Sequence, residues 1–477
     1  MSRFKTIAPQ DRPTFKVAFL YRSHGLISRE TFIAFQKTYD EIVNCIVTCQ
    51  DEDELWKFVR SMFNFDDYAD TVPINAANLS ITFDAVQRLM NAMALDWNRD
   101  ISIQKRIQPF VYTIQAARAL VAKQLNVEPK LIAFMRNGSD PNAVINNGMD
   151  FEPGDEVVVW NENHPTNGDV AWKIRKARFP NINIVIVDLS GETNEEKIIQ
   201  KFVSKVNKST RIVAFSEVSH LSGMRLPAKL LIEKIHKKNR KVHVHLDGAQ
   251  SWGAFKHDLK EINCDSYSGG SHKWFLGPKE TGILYMKEES VPNFWPKDIG
   301  YNGEMKPPPT LPDDSLPHDA SRFEMVGQRN DTNLIGLLYT ADLMDLIGFD
   351  RIEERIKALT TRLRDGLDKV ARELDNVFVI ETPPELSQYH GILTIKFQDD
   401  RGTGKGHRRK HKGKNQEEAE PQLSEMLYDA LYEDHNIGVS TKKGNRMRFS
   451  PHIYNTEEHI DRAVEAVRYE LSKVLEK

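Results

Sequence analysis

The sequence has 477 residues, of which 40% are hydrophobic and 28% are charged. This composition is ordinary for a soluble globular protein, and the length suits one large two-domain subunit with an ample core. The formal net charge of −3 argues against a protein that binds nucleic acid or an anionic membrane surface.

Residues 1–70 are predicted to form a helical extension at the N-terminus. Apolar side chains recur there at helical spacing. They are Phe32, Phe35, Tyr39, Ile42 and Val43, and then Leu55, Phe58, Val59 and Met62. A face of this kind favours packing in a core or an interface over a chemical role.

The sequence gives no sign of export or membrane insertion. The apolar run Phe15–Tyr21 is interrupted by a lysine and is too short for a signal-peptide core of about 7–15 residues. No run approaches the roughly 20 apolar residues of a membrane span. Three cysteines, Cys45, Cys49 and Cys264, form no metal-ligand pair and no disulfide framework. We therefore expect a cytoplasmic protein without a metal site.

Residues 71–325 alternate helical stretches with short β-rich runs, and they are predicted to form a large domain. The predicted strands are Leu131–Phe134, Glu156–Trp160, Ile182–Val187, Ile212–Phe215, Val242–Leu246 and Ile283–Met286. This alternation predicts an α/β fold with a doubly wound, mostly parallel sheet. Ligands bind such sheets at the carboxyl ends of the strands.

The Pro-rich segment Met305–Pro309 leads to a smaller C-terminal α/β domain, predicted at residues 326–477. Its strands are Val377–Ile380 and Gly391–Phe397, and its helices lie near 421–434 and 456–475. Residues 401–420 combine glycines, a basic cluster and glutamates, which predicts a mobile, solvated loop. Binding of nucleic acid or another anionic partner by this cluster is the alternative.

An acid and a lysine in a fixed order carry the predicted chemistry. The alternating run Val242–Asp247 ends in an acid, as a buried strand does when it delivers a carboxylate to the edge of a sheet. The Gly/Ser-rich segment Ser268–Trp274 presents Lys273 soon afterwards. The pair predicts a site for pyridoxal 5'-phosphate (PLP). Lys273 would form an internal aldimine (a Schiff base), and Asp247 would hold the pyridinium nitrogen so that the ring acts as an electron sink.

Four further motifs appear in the order of a known family. They are Asn75–Ala77, Arg136–Asp140, Asn163–Asn167 and Arg448–Thr456. Together with the acid and the lysine, they make the sequence resemble the class V aminotransferase superfamily of fold-type I PLP enzymes. This superfamily includes cysteine desulfurases and isopenicillin N epimerase. The resemblance runs from about Asn75 to the C-terminus, and Tyr267–Trp274 is more similar to the epimerase-like members.

The resemblance implies a set of cofactor contacts. Gly138 and Ser139 open a predicted helix whose unsatisfied N–H groups suit a phosphate dianion. His164 corresponds to a histidine that stacks on the ring and relays a proton. Gln250 corresponds to a residue that contacts the ring's phenolic oxygen, and His272 to one that contacts the phosphate.

Ser271 and Gln328 depart from the family's pattern. Many members have a serine three positions before the lysine, where this sequence has Gly270, so Ser271 either serves the phosphate or points away. Gln328 replaces a threonine that often reaches the PLP phosphate of the partner subunit. The resemblance therefore implies a homodimer in which Gln328 makes this contact in place of the threonine.

The resemblance also implies substrate contacts at Asn75, Ala76 and Arg448. Arg448 corresponds to an arginine that holds an α-carboxylate with a two-donor fork, which lysine cannot reproduce. Arg446 is the competing candidate. Once the substrate has displaced it from the cofactor, the amine of Lys273 would act as the general base at the α-carbon. The expected partner is a small, amino-acid-like substrate.

The type of reaction is left open among transamination, epimerisation and β-elimination. A desulfurase needs a nucleophilic cysteine on a mobile loop before the arginine strand, and Gly438–Asn445 contains none. We therefore expect an enzyme that acts at the α-carbon of an amino acid or an amino-acid-derived metabolite, and not a persulfide-type desulfurase. The alternative is a non-catalytic fold-type I scaffold that binds an anionic partner. The intact Asp247, Lys273 and Arg448 argue against this alternative.

Overall fold

The computed structural model describes residues 7–65, 70–99, 104–298, 319–324, 329–398 and 422–475. The helices are α1 (Pro13–Ser23), α2 (Arg29–Thr48), α3 (Glu52–Ser61), α4 (Asp84–Trp97), α5 (Ile107–Gln124), α6 (Ser139–Gly148), α7 (Asp169–Arg178), α8 (Glu195–Lys205), α9 (Ala228–Lys238), α10 (Leu259–Ile262), α11 (Asp331–Ile347), α12 (Phe349–Glu373), α13 (Leu423–Glu433) and α14 (Glu457–Leu475). The strands are β1 (Val72–Pro73), β2 (Ile132–Met135), β3 (Glu156–Trp160), β4 (Asn183–Val187), β5 (Thr210–Ser216), β6 (His243–Asp247), β7 (Ser266–Gly270), β8 (Gly282–Met286), β9 (Phe378–Ile380), β10 (Leu393–Phe397), β11 (Ile437–Gly438), β12 (Ser440–Lys442) and β13 (Arg446–Phe449). The predicted loop at 401–420 and Gln328 lie outside the described residues.

The described chain forms two compact units. The larger unit comprises the residues up to Asn64 together with Ser80–Ser219 and Leu226–Glu353. The smaller unit comprises Phe65–Leu79, His220–Arg225 and the residues from Glu354 onward. No described helix combines the length and the apolar character that a membrane span requires.

A seven-stranded sheet runs through the larger unit, in the order β2-β8-β7-β6-β5-β3-β4. Its neighbouring strands are parallel, except that β8 is antiparallel to both β2 and β7. Strands β6 and β7 are buried along their whole length and β5 at every residue except Arg211, as in sheets covered by helices on both faces. The predicted α/β fold with a large, mostly parallel sheet is confirmed. The six predicted strands are β2, β3, β4, β5, β6 and β8, with bounds that shift by two residues at most.

Strand β7 is absent from the predicted elements because Ser-Tyr-Ser-Gly-Gly lacks the run of β-branched residues that indicates a strand. Close packing requires its glycines. A Cβ on Gly269 would lie 2.6 Å from the Trp252 ring, and a Cβ on Gly270 would lie 2.9 Å from the backbone nitrogen of Gly138. Strand β7 therefore continues the sheet with glycines that allow neighbouring residues to pack closely against it, directly before Lys273.

The N-terminal helices belong to the larger unit. Phe35 and Tyr39 on α2 are buried, and the Tyr39 hydroxyl donates to Asp342 Oδ2 at 2.6 Å. Arg12 Nε donates to the other oxygen of Asp342 at 2.8 Å. The division of the chain therefore differs from the predicted ranges, which separated residues 1–70 and placed α11 in the small domain. Helix α11 is buried almost all round because it packs against α1, α2, α4 and α5.

The smaller unit contains a four-stranded antiparallel sheet, β12-β13-β10-β9, and the parallel pair β1-β11. The predicted strands β9 and β10 and the predicted helices α13 and α14 are present. Residues 220–225 are fastened to this sheet, because Thr394 Oγ1 donates to the Leu221 carbonyl and Thr382 Oγ1 to the Ser222 carbonyl, both at 2.6 Å. The central strand β13 delivers Arg448.

Candidate active site

Asp247 is the last residue of β6, in the middle of the large sheet, and it is only 2% exposed. Its Oδ1 accepts a hydrogen bond from the Ala249 backbone N–H at 2.9 Å. Its Oδ2 accepts one from the Asn142 amide at 3.1 Å. Ser268 Oγ, on the neighbouring strand, lies 3.5 Å from Oδ1. The carboxylate is therefore held in a fixed orientation by neutral donors, as a group that faces a cationic ring nitrogen should be.

Lys273 lies in the turn that follows β7. The Gly277 N–H donates to the Ser271 carbonyl at 2.8 Å, and the Leu276 N–H donates to the Lys273 carbonyl at 3.1 Å. Leu276 adopts a positive φ of 60°, so the chain reverses sharply there. The half-buried Lys273 is thus presented by a rigid turn, on the strand that neighbours the one ending in Asp247.

His272 is half-buried beside Lys273. Burial, and then the charges of Lys273 and Lys279, lower the pKa of its imidazole to about 4. Its backbone carbonyl accepts from the Ser80 N–H at 2.8 Å. This bond ties the turn that carries Lys273 to the segment that leads into α4. The ring is neutral at physiological pH and carries one N–H donor for a ligand such as a phosphate.

Gly138 brings the predicted phosphate segment to the other two segments. A Cβ on Gly138 would lie 3.6 Å from the Ala249 Cβ and 3.6 Å from the Gly270 nitrogen. The loop before α6, the loop after Asp247 and the strand before Lys273 therefore meet at this glycine. The structure brings these three sequence-predicted segments together.

The N-terminus of α6 differs from the prediction of unsatisfied N–H groups. Asn137 Oδ1 accepts from the N–H of Ser139 at 2.9 Å and from that of Asp140 at 3.1 Å. An asparagine side chain thus caps these two donors, as polar side chains commonly do at helix starts. Ser139 itself is exposed. A phosphate at this position would have to compete with a neutral amide for the two N–H groups.

His164 follows β3 and is half-buried. Its Nδ1 lies 2.9 Å from Thr166 Oγ1, and the Thr166 hydroxyl also accepts from the Asn142 amide at 3.2 Å. Thr166 and Asn142 therefore connect His164, the residue expected on the ring face, to Asp247, the residue expected at the ring nitrogen.

Gln250 and Ser271 have different surroundings. Gln250 Oε1 accepts from the Trp274 indole N–H at 2.8 Å, so the amide oxygen of Gln250 is engaged within the protein. Ser271 is fully buried, and its hydroxyl bonds inside its own turn, to the Pro278 carbonyl at 2.8 Å and to the hydroxyl of Thr281. The hydroxyl thus points away from a ligand, and we remove Ser271 from the candidate cofactor contacts.

Several residues around Asp247 were not predicted from the sequence. They are Asn142, His245, Ser266 and Ser268, all at most 1% exposed. Asn142 lies on α6, one turn before Asn146, and the two amides form a polar stripe next to the buried apolar residues Val144 and Ile145. The alternation His-Val-His-Leu-Asp along β6 is the other available signal, because it puts three polar side chains on one face of a buried strand.

In the smaller unit, Arg448 is a deeply buried cation that is 2% exposed. Its Nη1 donates to the His220 carbonyl at 2.7 Å, and its Nε has no hydrogen-bond partner among the described residues. Burial lowers the pKa of the guanidinium to about 10, and no acidic side chain in the described part of the chain offsets this effect. A buried charge without a counter-ion is costly, so a ligand anion is the natural partner.

The other candidate substrate contacts in the smaller unit differ in their hydrogen-bond partners. Arg446 is paired with Glu381, with its Nη2 2.7 Å from Oε1. The Asn75 amide nitrogen donates to the Val439 carbonyl at 3.2 Å, and its buried Oδ1 has no hydrogen-bond partner among the described residues. The Ala76 N–H donates to the Ser450 carbonyl at 3.0 Å. Arg448 therefore has a hydrogen-bond donor, Nε, without a partner among the described residues, and Asn75 has such an acceptor in Oδ1.

The residues of the larger unit fit PLP. Asp247 supplies a buried carboxylate for the ring nitrogen, and Lys273 lies just beyond the adjacent strand. Gly138 and Gly270 leave the space that a Cβ would fill. The positive end of the α6 dipole points into the same region, and it suits a phosphate. Gln328, the remaining predicted contact, lies outside the described residues.

Known proteins resemble this chain in sequence and in fold. Over 392 residues the chain is 26% identical to an isopenicillin N epimerase of Amycolatopsis lactamdurans, which covers 78% of this chain and 87% of the relative. It is 25% identical to a probable cysteine desulfurase of Methanothermobacter thermautotrophicus, over 73% of this chain and 81% of the relative.

Solved structures share the fold. A C-DES mutant with glycine covalently linked to the PLP cofactor matches with a TM-score of 0.72 at 19% identity, over 86% of this chain and 98% of its own. A cysteine desulfurase from Thermococcus onnurineus matches with a TM-score of 0.70 at 20% identity, over 87% and 98%. Residues 77–405 match the family model for aminotransferase class-V. The chain belongs to the aminotransferase class-V family of enzymes, and its cofactor is pyridoxal 5'-phosphate.

Proposed function

We propose that the protein acts at the α-carbon of an amino acid or an amino-acid-derived metabolite. The observation that carries this proposal is Arg448, a buried guanidinium with a pKa lowered by burial and no acidic partner among the described residues. A substrate carboxylate would supply the missing negative charge through the two-donor fork that arginine offers. Asn75 and Ala76 lie on a segment bonded to Ser450, two residues from Arg448, and we assign them to the same substrate contact.

The proposed cofactor contacts come from the larger unit. Asp247 holds the ring nitrogen, and Lys273 is the point of covalent attachment. Gly138, Ser139 and His272 hold the phosphate, His164 lies against the ring, and the Gln250 amide nitrogen donates to its phenolic oxygen. When bound, PLP supplies an electron sink that stabilises negative charge at the substrate carbon.

The protein's own groups then move one proton. The Lys273 amine takes the proton from the substrate α-carbon and acts as the general base. The rigid turn limits the positions of this amine. Since His272 has a pKa near 4, it stays neutral and does not compete for that proton at physiological pH.

The chemistry of the cysteines supports a reaction other than persulfide-type desulfuration. Cys264 is fully buried, and burial raises the pKa of its thiol, which disfavours the reactive thiolate. Cys45 and Cys49 lie on and just after α2. The turn between β12 and β13, which precedes Arg448, is Lys443–Asn445 and carries no thiol. An aminotransferase, epimerase or lyase reaction is therefore proposed, and the homodimer, the contact by Gln328 and the cytoplasmic location stay predictions.

A panel of amino acids in deuterated water tests the function. The holoenzyme is expected to put deuterium on the α-carbon of its substrate. Retention of the amino acid, release of a keto acid or loss of the side chain then identifies an epimerase, an aminotransferase or a lyase. The Arg448→Lys variant should exchange more slowly than wild type at low substrate, whereas Arg446→Lys should not. Absence of α-exchange with every amino acid, in a protein that retains PLP, would reject the proposal.

A further inference from the structure

A row of buried polar side chains runs along β6 towards Asp247. His243, His245 and Asp247 alternate along the strand, so they lie on one face. They are 6%, 0% and 2% exposed. Ser266 and Ser268 on β7 are fully buried and bond to this row. The proposed reaction uses only Asp247, so the remaining members of the row need a separate explanation.

The row forms an unbroken hydrogen-bond chain. His243 Nε2 lies 2.7 Å from Ser266 Oγ, and Ser266 Oγ lies 2.8 Å from His245 Nδ1. His245 Nε2 lies 2.9 Å from Asn142 Oδ1, and the Asn142 amide nitrogen donates to Asp247 Oδ2 at 3.1 Å. We call His243, Ser266, His245 and Asn142 the polar chain.

Both imidazoles of the polar chain are neutral. Burial lowers the pKa of His243 to about 4 and that of His245 to about 3. Each ring therefore carries one N–H donor and one acceptor nitrogen at physiological pH. The positions of the protons then follow from the partners.

The carboxylate sets the direction of every bond. Asn142 turns its NH₂ group towards the Asp247 carboxylate and its oxygen towards His245, and an amide oxygen accepts only. His245 must then carry its proton on Nε2 and accept on Nδ1. Ser266 donates to that Nδ1 and accepts from His243 Nε2–H. Each hydrogen bond that joins one member of the polar chain to the next is thus donated in the direction of Asp247.

This polarity has an electrostatic consequence. Hydrogen bonds aligned in a buried, low-dielectric site polarise and strengthen one another, so they hold the Asn142 amide firmly against the carboxylate. The chain does not conduct protons, because the Asn142 amide does not pass a proton from its oxygen to its nitrogen. The polar chain therefore serves to orient the carboxylate.

We propose that His245 is a positioning residue that acts through Asn142 to hold the Asp247 carboxylate aimed at the PLP ring nitrogen, with Ser266 and His243 fixing the tautomer of His245. This inference rests on the proposed pairing of Asp247 with that nitrogen. A leucine at 245 removes the donor to Asn142, whereas a glutamine retains an N–H at about the place of Nε2. Ser266→Ala removes the bond that selects the tautomer and leaves the imidazole in place.

The test is the ¹⁵N chemical shift of the ring nitrogen in holoenzyme reconstituted with ring-labelled PLP. His245→Leu and Ser266→Ala are expected to move the resonance from the pyridinium towards the pyridine position, and His245→Gln to restore it. His245→Leu should also weaken PLP binding roughly tenfold. The matched control is His257→Leu, at a histidine that is 4% exposed and bonded to Glu217 and not to the polar chain. It should keep the wild-type shift.

Other outcomes overturn the proposal in distinguishable ways. If Asp247→Asn moves the resonance and folded Ser266→Ala and His245→Leu do not, the polar chain has no such role, and the proposed function stands. If Asp247→Asn also leaves the resonance unmoved, the pairing of Asp247 with the ring fails, and this inference fails with it. A glutamine that shifts the resonance as far as leucine would show that ring shape, rather than the N–H donor, matters. If His245→Leu does not fold, Ser266→Ala decides.

Discussion

Asp247 and Arg448 are buried charges that the protein compensates in different ways. Asp247 in the larger unit accepts hydrogen bonds from Asn142 and from the Ala249 backbone, and Asn142 is held in turn by His245 and Ser268. Arg448 in the smaller unit is equally buried, yet its Nε has no partner among the described residues. Asp247 is oriented by hydrogen bonds from the protein itself, so it is already in place when a cofactor binds. A buried charge with bonds left over obtains its partner from a ligand.

This contrast predicts that changes in the larger unit impair the cofactor, whereas changes at Arg448 impair the substrate. The largest effect is expected at Lys273. We predict that Lys273→Ala abolishes turnover and the covalent, borohydride-sensitive visible band, because the only proposed point of attachment is removed. Absorbance spectra before and after borohydride, with circular dichroism to verify folding, measure the effect. A reducible adduct formed at another lysine would contradict the assignment.

The second prediction concerns Asp247. We expect Asp247→Asn to lose most activity and to bind PLP roughly tenfold to hundredfold more weakly, because a charged partner of the ring nitrogen becomes neutral. The amide also presents an N–H group to one of two existing donors, the Asn142 amide or the Ala249 N–H. Titration of the apoenzyme with PLP measures the affinity. Wild-type turnover in this variant would mean that another group keeps the ring protonated.

The third prediction tests the other side of the contrast. Arg448→Lys is expected to raise KM for the amino-acid substrate roughly tenfold to hundredfold, since it loses one charge-assisted hydrogen bond, and to leave PLP affinity unchanged. Steady-state kinetics and PLP titration on the same preparation separate the two effects. Arg446→Lys is the matched control, because Arg446 is already paired with Glu381. Equal effects of the two variants on KM would remove Arg448 from the substrate site.

An element of the fold could be predicted from the sequence when its own residues determine it, and not when contacts with distant residues do. The Val-rich β3 was predicted with its observed bounds, because a buried parallel strand is a continuous apolar run. Strand β7 was missed because its glycines reflect tertiary packing. Gly269 packs against Trp252 and Gly270 against Gly138, and neither neighbour is local in sequence. The predicted domain ranges divided the chain by sequence distance, whereas Arg12 and Asp342 bond across 330 positions.

The candidate site shows the same limit. Asp247, Lys273 and Gly138 were found because their order along the chain is itself a pattern. The side-chain cap by Asn137 and the bond of the Ser271 hydroxyl to Pro278 depend on local geometry that residue types do not determine. The polar chain was missed because the hydrogen-bond partners of His243 and His245 lie on other elements, and the sequence does not show which side chains face a strand.

The smallest effect is predicted for the three cysteines. We expect a variant with Cys45→Ser, Cys49→Ser and Cys264→Ala to keep its turnover with the substrate found by deuterium exchange. Cys264 is fully buried with a raised thiol pKa, so its removal should cost about 1 kcal/mol of stability through a small cavity, and no chemistry. Initial rates and thermal unfolding of the same variant measure the two quantities. Each single substitution is the control that locates any loss. A cysteine variant that kept PLP and lost turnover would place a thiol in the reaction, and the desulfurases among its relatives would then be the better guide to its chemistry.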